Sequence, residues 1–483
     1  MFVAALVSIY ALTVLLGIWT CFFRPQWMPV LLVLLLPTGN FVFELGVTWT
    51  PWKLLLLIYW AALPAQYAMS HEVKRSLSLP PGFSRYIIAI VLSTLLVYAF
   101  GHTSELGDFV GFRDPATRPF VQLISLFLRM SAVLAIVTLV QTPAAVYRLL
   151  NGVIAASTLV ASYGIYQVIG YYMDWPIMGI SRAQELMTGQ FGIFSIGDID
   201  FFRLGSFVGE PKEAAKFLAA STVILIGLRV LGIKGCSRWF TSYWVLGLHV
   251  IALILTFSTS SFFAIAICSP ILGFVWLVLV RKFKVRSFLT CTVVIVIAMC
   301  VLSNVVGEGT TKDIYQARVT GRIGSIDSPE KGALQFLNDE PEYLLVGVGL
   351  GNASFYLRPY FNPQYAQTLT VSLSSFYLEM LLEGGVVGLA MLLLLIGGWV
   401  IRSLRLLIDV CSDETRALIA TALGVFLFVA TVAAFSSTDG NGQLWFFLGV
   451  LISTHRIAHE QRQQVLALTR GSSAQSFKYA HSH

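Results

Sequence analysis

Residues 198–213 read DIDFFRLGSFVGEPKE, and they lead directly into the largely apolar run Ala214 to Leu231. The stretch places acidic and basic residues side by side between hydrophobic segments. Elsewhere the chain has few charged residues between its apolar runs. Ionisable side chains are costly near a bilayer, so those that occur there usually have a pairing or functional role. This stretch is therefore the first candidate for a functional segment at a membrane boundary.

The composition is that of an integral membrane protein. Of the 483 residues, 57% are hydrophobic and only 12% are charged, whereas soluble domains carry about 25% charged residues. The mean hydropathy is +0.77. The first apolar run, residues 1–23, has neither a basic leading segment nor a small-residue cleavage site. It predicts a first membrane helix rather than a removable signal peptide.

The placement of the basic residues predicts the orientation of the chain. They gather in every second short connection between apolar runs, for example at 74–85, 229–238, 281–286, 402–416 and 456–478. Cytoplasmic loops of membrane proteins carry this excess of Lys and Arg. The net charge of +7 is therefore explained by the orientation of the chain in the membrane, and no nucleic-acid partner is expected.

Apolar runs of about 17 to 25 residues are long enough to cross a bilayer as helices. They predict an all-α polytopic membrane protein with about thirteen transmembrane helices, or twelve if the first two form a re-entrant pair. The second run is the weakest, because Pro37 interrupts it and Glu44 lies near its end. The predicted spans lie near 2–23, 27–46, 51–70, 85–101, 119–140, 146–172, 212–232, 240–257, 260–280, 287–306, 374–401, 415–436 and 441–457.

Residues 1–457 are predicted to form a single transmembrane domain, followed by a polar cytoplasmic tail at 458–483. The longest polar connections, 101–118, 173–211 and 307–373, all fall on the side opposite to the basic loops. Long connections without evident structure are usually functional. We therefore expect the function on the extracytoplasmic face, and not at a cytoplasmic nucleotide or protein partner.

Three arginines in the outer loops are candidate anion ligands. Arg203 lies in the loop 173–211, and Arg318 and Arg322 lie in a short amphipathic segment of the loop 307–373, where their spacing puts both on one helical face. A guanidinium group stays charged and presents a planar fork of donors that matches phosphate oxygens. Converging arginines would suit a diphosphate. The alternative for Arg203 is an interfacial side chain that reaches towards the headgroups.

Glu210 stands directly before Pro211 and has two interpretations. It is a favourable acid at the N-terminus of a helix that begins near Lys212, with proline in the first turn. It is also a carboxylate that could accept a proton from an attacking hydroxyl group. The two interpretations are compatible, and Glu210 is retained as a candidate base.

A second set of ionisable residues lies within predicted spans. Arg129 falls in the middle of the fifth span. Burying a charge there costs free energy, so such a residue usually has a functional role or an ion-pair partner. Glu379 and Glu383 follow the largest loop, one turn apart on a helix face beside Tyr377. Tyr377, Glu379 and Glu383 are all candidate substrate-binding residues. The alternative is that the two glutamates mark the interface end of their helix and pair with Arg129.

The run Gly347–Gly351 resembles a phosphate-binding loop only superficially. It lacks the Lys-Ser/Thr pair of a P-loop and falls on the side away from cytoplasmic nucleotides, so it predicts a flexible glycine segment. No spacing of His, Cys and Asp typical of a metal site occurs in the sequence. We therefore expect neither a metal nor another cofactor.

Three motifs, taken in order, resemble those of the O-antigen ligase and Wzy polymerase superfamily. The segment Arg203–Pro211 is similar to the family's R-x-x-G/S-x-x-x-x-P motif, and Gly347–Asn352 to its G-x-G-x-G-N run. The segment Ser374–Gly388 resembles the motif H-N-x-Y-L-x-x-x-x-E-x-G-x-x-G. The resemblance covers roughly residues 190–450 and rests on the order and spacing of the motifs.

The resemblance implies a metal-independent membrane glycosyltransferase with a GT-C-like fold and large periplasmic loops, in a bacterial inner membrane. Its substrate would be an oligosaccharide on undecaprenyl diphosphate, held by Arg203, Arg318 and Arg322 with help from Lys212. The implied partners are that lipid-linked glycan, membrane lipid and a chain-length regulator protein. The product would be O-antigen or another surface polysaccharide.

Ser374 decides between the activities of the resembled family. It stands where the ligases carry a histidine that acts as base, and a serine hydroxyl cannot replace an imidazole in that role near neutral pH. This difference favours a polymerase, with Glu210 as the predicted base. The alternatives are an O-antigen ligase that transfers glycan to lipid A-core and, in a different class, a flippase or transporter of lipid-linked oligosaccharides.

Overall fold

The structure, a computed structural model, describes residues 2–38, 41, 43–45, 47–69, 79–99, 116–177, 193–196, 199–280, 283–306, 329–360, 373, 375–410, 412–436 and 442–480. The described part is nearly all helical, with two short antiparallel hairpins. The helices are α1 (Phe2–Phe23), α2 (Met28–Leu35), α3 (Pro51–Met69), α4 (Phe83–Ala99), α5 (Arg118–Leu139), α6 (Pro143–Tyr172), α7 (Pro211–Val230), α8 (Tyr243–Leu255), α9 (Thr259–Leu279), α10 (Val285–Val306), α11 (Pro329–Asp339), α12 (Tyr343–Val346), α13 (Ala353–Tyr356), α14 (Phe376–Asp409), α15 (Asp413–Val432) and α16 (Gly442–Ala480). The strands are β1 (Phe43–Leu45), β2 (Val47–Trp49), β3 (Ile193–Ile196) and β4 (Ile199–Phe202).

Within the described residues, six helices are long and apolar enough to cross a membrane. The chain therefore has the helical architecture of a polytopic membrane protein, as its composition predicts. Shorter apolar helices lie between these six, so the number of spans, twelve or thirteen, stays a prediction. The six segments are Leu6–Phe23, Arg118–Leu139, Pro143–Tyr172, Thr259–Leu279, Phe376–Asp409 and Asp413–Phe435.

The predicted second span, 27–46, is wrong as a continuous helix. The helix α2 ends at Leu35, whose carbonyl oxygen accepts a hydrogen bond from the Thr38 amide at 3.1 Å. The chain then forms the hairpin of β1 and β2, with Phe43 opposite Trp49. The eight residues of α2 extend about 12 Å, far less than the roughly 30 Å of a bilayer core. Pro37, which cannot continue the amide ladder, marks the break.

Several long helices begin at a hydroxyl side chain that the sequence supplies at the right place. The hydroxyl group of the cap residue accepts a hydrogen bond from the backbone amide three residues further on, at 3.2 to 3.5 Å. Such caps satisfy one of the amides that a helix leaves without an internal partner. The cap residues are Thr142 for α6, Ser242 for α8, Ser375 for α14 and Ser412 for α15.

Helices α7 and α15 form the centre of the bundle. Nearly all residues of both helices are buried, and α7 packs against α6, α8 and α15. The two central helices approach closely at Gly227, where an added Cβ would lie 3.0 Å from the Thr421 hydroxyl oxygen. Small residues permit such close helix contacts where burial of apolar surface from water does not drive association.

The last helix, α16, crosses α5 at a second glycine. A Cβ added to Gly449 would lie 3.1 Å from the Cα atom of Val133 and 3.0 Å from Cβ of Ile136. The helix then continues without interruption to Ala480. The segment 458–483, predicted as a polar tail, is therefore helical as far as it is described.

Substitution of Gly449 by leucine is expected to destabilise the protein by about 1–3 kcal/mol, the usual cost of overpacking, because the backbone of α5 cannot move aside. Gly398→Leu on α14 is the matched control, since nothing lies within 4 Å of a Cβ added there. Thermal unfolding of both purified variants, followed by size-exclusion chromatography after heating, measures the difference. Equal melting temperatures for the two variants would contradict the close crossing.

Candidate functional site

The segment before α7 is anchored by Leu204. Its amide donates a hydrogen bond to the carbonyl oxygen of Leu255 at 3.0 Å, and its side chain is fully buried. A Cβ added to Gly164 of α6 would lie 2.4 Å from Cγ of Leu204, so only glycine leaves room for this side chain. Leu204 thereby fixes the position of Arg203 next to it.

Arg203 lies at the C-terminal end of α8. Its Nε donates to the carbonyl oxygen of Thr256, the residue after the helix, at 3.1 Å, and its side chain is half-buried. The carboxyl end of a helix carries partial negative charge and favours a cation. This position holds the guanidinium group at the end of the bundle where α7 begins. We call this end, where α7 and α14 begin and α8 and α15 end, the Arg203 end.

A tight turn carries the chain from Arg203 to Glu210. Ser206 and Gly209 both have positive φ angles, 53° and 94°, a conformation that is uncommon for serine. Ser206 is fully buried, and its hydroxyl oxygen has no hydrogen-bond partner in the structure as described. Local strain of this kind clusters at functional sites.

Glu210 occupies the N-cap position of α7, as its place before Pro211 predicts. Its backbone is extended and its carbonyl oxygen accepts from the amides of Glu213 and Ala214, both at 3.0 Å. Its side chain makes no capping hydrogen bond. The helix dipole therefore acts on the Glu210 carboxylate, although the amides of the first turn donate no hydrogen bond to it.

The surroundings of Glu210 alter its acidity. Its side chain is exposed in the isolated chain, yet the crowded protein atoms around it displace water and raise the pKa of its carboxyl group above the ordinary glutamate value. The negative charge of Glu213 raises it further, whereas Lys212, Lys216 and Arg203 act in the opposite direction. Three cations and a second carboxylate thus lie within electrostatic reach of this group.

Lys216 is a buried cation that is not among the residues singled out from the sequence. It is 3% exposed, forms an ion pair with Glu213 one turn earlier, and donates to Oγ of Ser436 at 2.5 Å. Lys212, one turn before it on the same helix, is half-buried. The available signal was the spacing of Lys212, Glu213 and Lys216 at the start of an apolar run, which places all three on neighbouring faces of the helix.

Tyr377 joins the start of α14 to the same end of the bundle. Its hydroxyl group donates to the carbonyl oxygen of Ala430 on α15 at 2.7 Å. Ala430 lies shortly before the 3₁₀ turn Ala433–Phe435 and Ser436. Tyr377 and the Lys216 pair are therefore both tied to the last part of α15, and the predicted residues Arg203, Glu210, Lys212 and Tyr377 share the Arg203 end.

Glu379 and Glu383 belong to a different neighbourhood. Glu383 is 4% exposed, and its carboxylate is hydrogen-bonded by the backbone of Gly351 and Ala353. Glu379 lies one turn earlier on α14, half-buried, and its charge acts on Glu383, as does the opposite charge of Arg118. The structure thus brings Glu383 to the glycine run and not into contact with Arg203 among the residues it describes.

A break in α14 receives the glycine run. Gly385 has φ 65° and ψ −173°, so the carbonyl oxygens of Leu382 and Glu383 accept instead from the amides of Val348 at 2.8 Å and Gly349 at 3.0 Å. A Cβ added to Gly385 would lie 2.1 Å from the carbonyl oxygen of Leu345. The run expected to be a flexible segment is therefore bound to the helix, and its glycines permit the close approach.

Arg129 is buried in the middle of α5, as predicted. Its Nε donates to the carbonyl oxygen of Ser125 at 3.3 Å, and one terminal nitrogen contacts the Ser125 hydroxyl at 3.4 Å. Lys53 of α3, 7% exposed, donates to the same hydroxyl at 3.3 Å. Two buried cations thus meet at Ser125.

Three predicted residues lie outside the described residues: Arg318, Arg322 and Ser374. Their convergence with Arg203 stays a prediction. Within the described part of the chain, no group of three His, Cys, Asp or Glu side chains is placed to hold a metal ion.

Comparison with known proteins assigns no family to the chain. No protein-family model matches the sequence, and no curated protein matches it at a significant level. The functional inference therefore rests on the residues and geometry of this chain.

The ion pair of Lys216 with Glu213 leads to a stability prediction. Lys216→Met should destabilise the protein by about 3 kcal/mol, because breaking a buried pair leaves one charge without its partner. The double variant Glu213→Gln/Lys216→Met should recover most of that loss. Chemical unfolding of the wild type and the three variants, including Glu213→Gln alone, measures the coupling; a double variant no more stable than Lys216→Met would contradict the pair.

Proposed function

We propose that the protein is a membrane glycosyltransferase that polymerises oligosaccharide repeat units carried on undecaprenyl diphosphate. The observation that carries the proposal is that a guanidinium group held in place lies within electrostatic reach of a carboxylate that makes no capping hydrogen bond. Arg203 is held at the end of α8 by the Thr256 carbonyl, and Glu210 stands at the start of α7 within reach of its charge. Such a pair supplies an anion ligand and a proton acceptor at one end of the helical bundle.

In the proposed reaction, a hydroxyl oxygen on the terminal sugar of one lipid-linked unit attacks the anomeric carbon of the reducing-end sugar of another chain. The bond between that carbon and the diphosphate oxygen breaks, and undecaprenyl diphosphate leaves. The proton of the attacking hydroxyl passes to the Glu210 carboxylate. Because the pKa of the Glu210 carboxyl group is raised, the carboxylate binds a proton more strongly than an ordinary glutamate does. This change suits a base that works near neutral pH.

The cations of the Arg203 end would stabilise the leaving group. Arg203 offers preorganised donors to the charge that develops on the diphosphate, and Lys212, exposed in part, adds a second cation. Lys216 is engaged with Glu213 and Ser436, which suits a role in shaping the end of α7. Arg318 and Arg322 are proposed as further diphosphate ligands.

The location follows from the charge distribution of the chain. Basic residues concentrate on the connections opposite to the Arg203 end, and cytoplasmic loops carry such an excess. We therefore propose an inner-membrane protein of a bacterium with this site on the periplasmic face. The lipid-linked substrate would reach it from the outer leaflet of that membrane.

A transporter of lipid-linked oligosaccharides is the second candidate. Within the described residues, buried charged side chains occur on five helices, at Lys53, Arg129, Lys216, Glu383 and Arg416, and transporters place ionisable groups on several membrane segments. A flipping assay in liposomes with a fluorescent lipid-linked unit distinguishes this candidate. Movement of the unit between leaflets without glycan growth would favour transport.

Arg203→Ala should lower the rate of glycan growth about 100- to 1000-fold, the usual effect of removing one donor to a developing anion. The assay gives the purified protein an undecaprenyl-diphosphate-linked repeat unit in liposomes, without nucleotide or metal, and follows the glycan ladder on a gel. Near-normal growth in this variant would exclude the proposed role of Arg203.

Arg358→Ala is the matched control for that experiment. Arg358 is an exposed arginine in the 3₁₀ turn Arg358–Tyr360, so its loss removes the same charge from outside the site and should leave the ladder unchanged. Addition of lipid A-core to the same reaction tests the ligase alternative. A single transfer to that acceptor without a ladder would establish a ligase despite Ser374.

The pH dependence of glycan growth should identify Glu210 as the base. A base acts only when ionised, and the raised pKa keeps its carboxyl group protonated to a higher pH than usual. The wild-type rate should therefore fall on acidification through a midpoint above the ordinary glutamate value. Glu210→Gln should lose about 100- to 10,000-fold in rate and lack this midpoint; an unchanged acid limb in Glu210→Gln would assign it to another group.

A further inference from the structure

A cleft of about 610 Å³ lies at the opposite end of the bundle from Arg203. Its walls come from the last turns of α14, the middle of α16 and the chain that precedes α4. None of the residues proposed for glycosyl transfer lines it. The cleft therefore needs an explanation of its own.

The charged lining of the cleft is strongly basic. It contains Arg402, Arg405, Arg456 and Arg462 against a single acid, Asp409. Arg462 reaches Asp409 at 3.8 Å, and Nε of Arg456 is paired with Glu460 at 3.0 Å. Arg402 and Arg405 form no ion pair with any described residue. Two positive charges thus face the cleft without an acidic partner in the part of the chain that is described.

A residue in the wall of this cleft also carries a buried hydrogen-bond donor. Trp399, 5% exposed, lines the cleft, and its Nε1 has no hydrogen-bond acceptor among the described residues. The Arg402 guanidinium lies over its ring at 5.2 Å. The ring of His455 packs edge-on against it at 5.4 Å, while Nε2 of His455 is engaged with the Ser403 hydroxyl at 2.7 Å. Buried donors are rarely left without an acceptor, and a bound molecule is one way to supply it.

Apart from His459, the remaining lining is apolar. Leu79, Pro80, Val137, Leu406 and Ile452 form the other walls of the cleft. A site lined by both basic and apolar residues matches a molecule with an anionic phosphate and a hydrocarbon part. Basic pockets between membrane helices bind phospholipid headgroups for this reason.

We propose that this cleft binds a phosphate group, held by Arg402 and Arg405 and accepting a hydrogen bond from Nε1 of Trp399. Arginine forks match phosphate oxygens in geometry and charge. The phosphate has two sources, the headgroup of an anionic phospholipid and a soluble phosphate compound. The apolar walls accommodate the glycerol and the first methylene groups of a lipid, whereas a soluble phosphate would use the basic side alone.

The general excess of basic residues at this end does not by itself account for the cleft. Topological signals require Lys and Arg near the membrane surface, but not arginines from two helices around one cavity with a buried indole N–H. A test must therefore separate this cleft from other basic residues of the same side. Lys234 and Arg238, both exposed between α7 and α8, provide that comparison.

The test uses the purified full-length protein and two probes. One is dioleoylphosphatidylglycerol titrated in mixed micelles, with dioleoylphosphatidylcholine as the uncharged-headgroup reference; the other is inorganic phosphate. Intrinsic tryptophan fluorescence and thermal stabilisation follow binding. The variants are Arg402→Gln/Arg405→Gln and the matched control Lys234→Gln/Arg238→Gln, which also removes two cations.

The cleft variant should bind the phosphatidylglycerol probe at least about tenfold more weakly, since each basic residue near an anionic lipid contributes roughly a fivefold effect and two are removed. The control variant should weaken binding clearly less than the cleft variant, because neither Lys234 nor Arg238 lines the cleft. Trp399→Phe, which keeps the ring and removes the indole donor, should weaken binding about threefold to tenfold, the typical effect of one hydrogen bond. If the Arg402→Gln/Arg405→Gln variant is not monodisperse, Trp399→Phe alone tests the site.

The two probes distinguish the source of the phosphate. Cleft-dependent binding of phosphatidylglycerol with no effect of inorganic phosphate identifies a lipid site. Cleft-dependent binding of inorganic phosphate identifies a soluble phosphate compound. Equal affinities for the wild type, the cleft variant and Trp399→Phe, or binding of neither probe, would overturn the proposal. Glycosyl transfer is not part of the readout, so this result is independent of the proposed activity.

Discussion

The contact between α7 and α15 is the constraint on which the rest of the structure depends. Gly227 lets the two helices approach at Thr421, and at their other end Lys216 links Glu213 to Ser436. A buried cation is costly unless it is paired and hydrogen-bonded, so this link specifies how the helices align. Because α7 begins directly after Glu210, the same contact fixes the candidate base.

A second constraint comes from the break at Gly385. Two carbonyl oxygens released by the break accept amides from the glycine run, and Glu383 accepts two more through its carboxylate. Buried polar groups require such partners, so the segment 347–352 is attached to α14 at its break. This arrangement connects the segment 343–356 to the first part of α14, where Tyr377 contacts α15.

Two groups of charged residues lie at opposite ends of the described bundle and differ in chemistry. At the Arg203 end, cations and carboxylates alternate and lie close enough to influence one another. At the opposite end, arginines dominate a cleft with one acid in its lining. The first arrangement is suited to proton transfer beside an anion, and the second to binding an anion without transferring a proton. Both ends share α14, which runs from Tyr377 to Arg402 and Arg405.

The sequence by itself determined the helices and most of their limits, because hydrophobic length and N-cap residues act locally. It also predicted Arg203, Glu210 and Lys212 as one group, since they are neighbours in the chain. Only the tertiary structure decided that Lys216 is buried against Ser436, that the glycine run occupies a helix break, and that Glu383 faces this run. Lys216 and Ser436 are 220 positions apart in the chain, and the glycine run contacts residues of α14 that lie 34 positions further on. No local pattern specifies which distant surfaces meet, and burial of polar groups selects the arrangement that satisfies them.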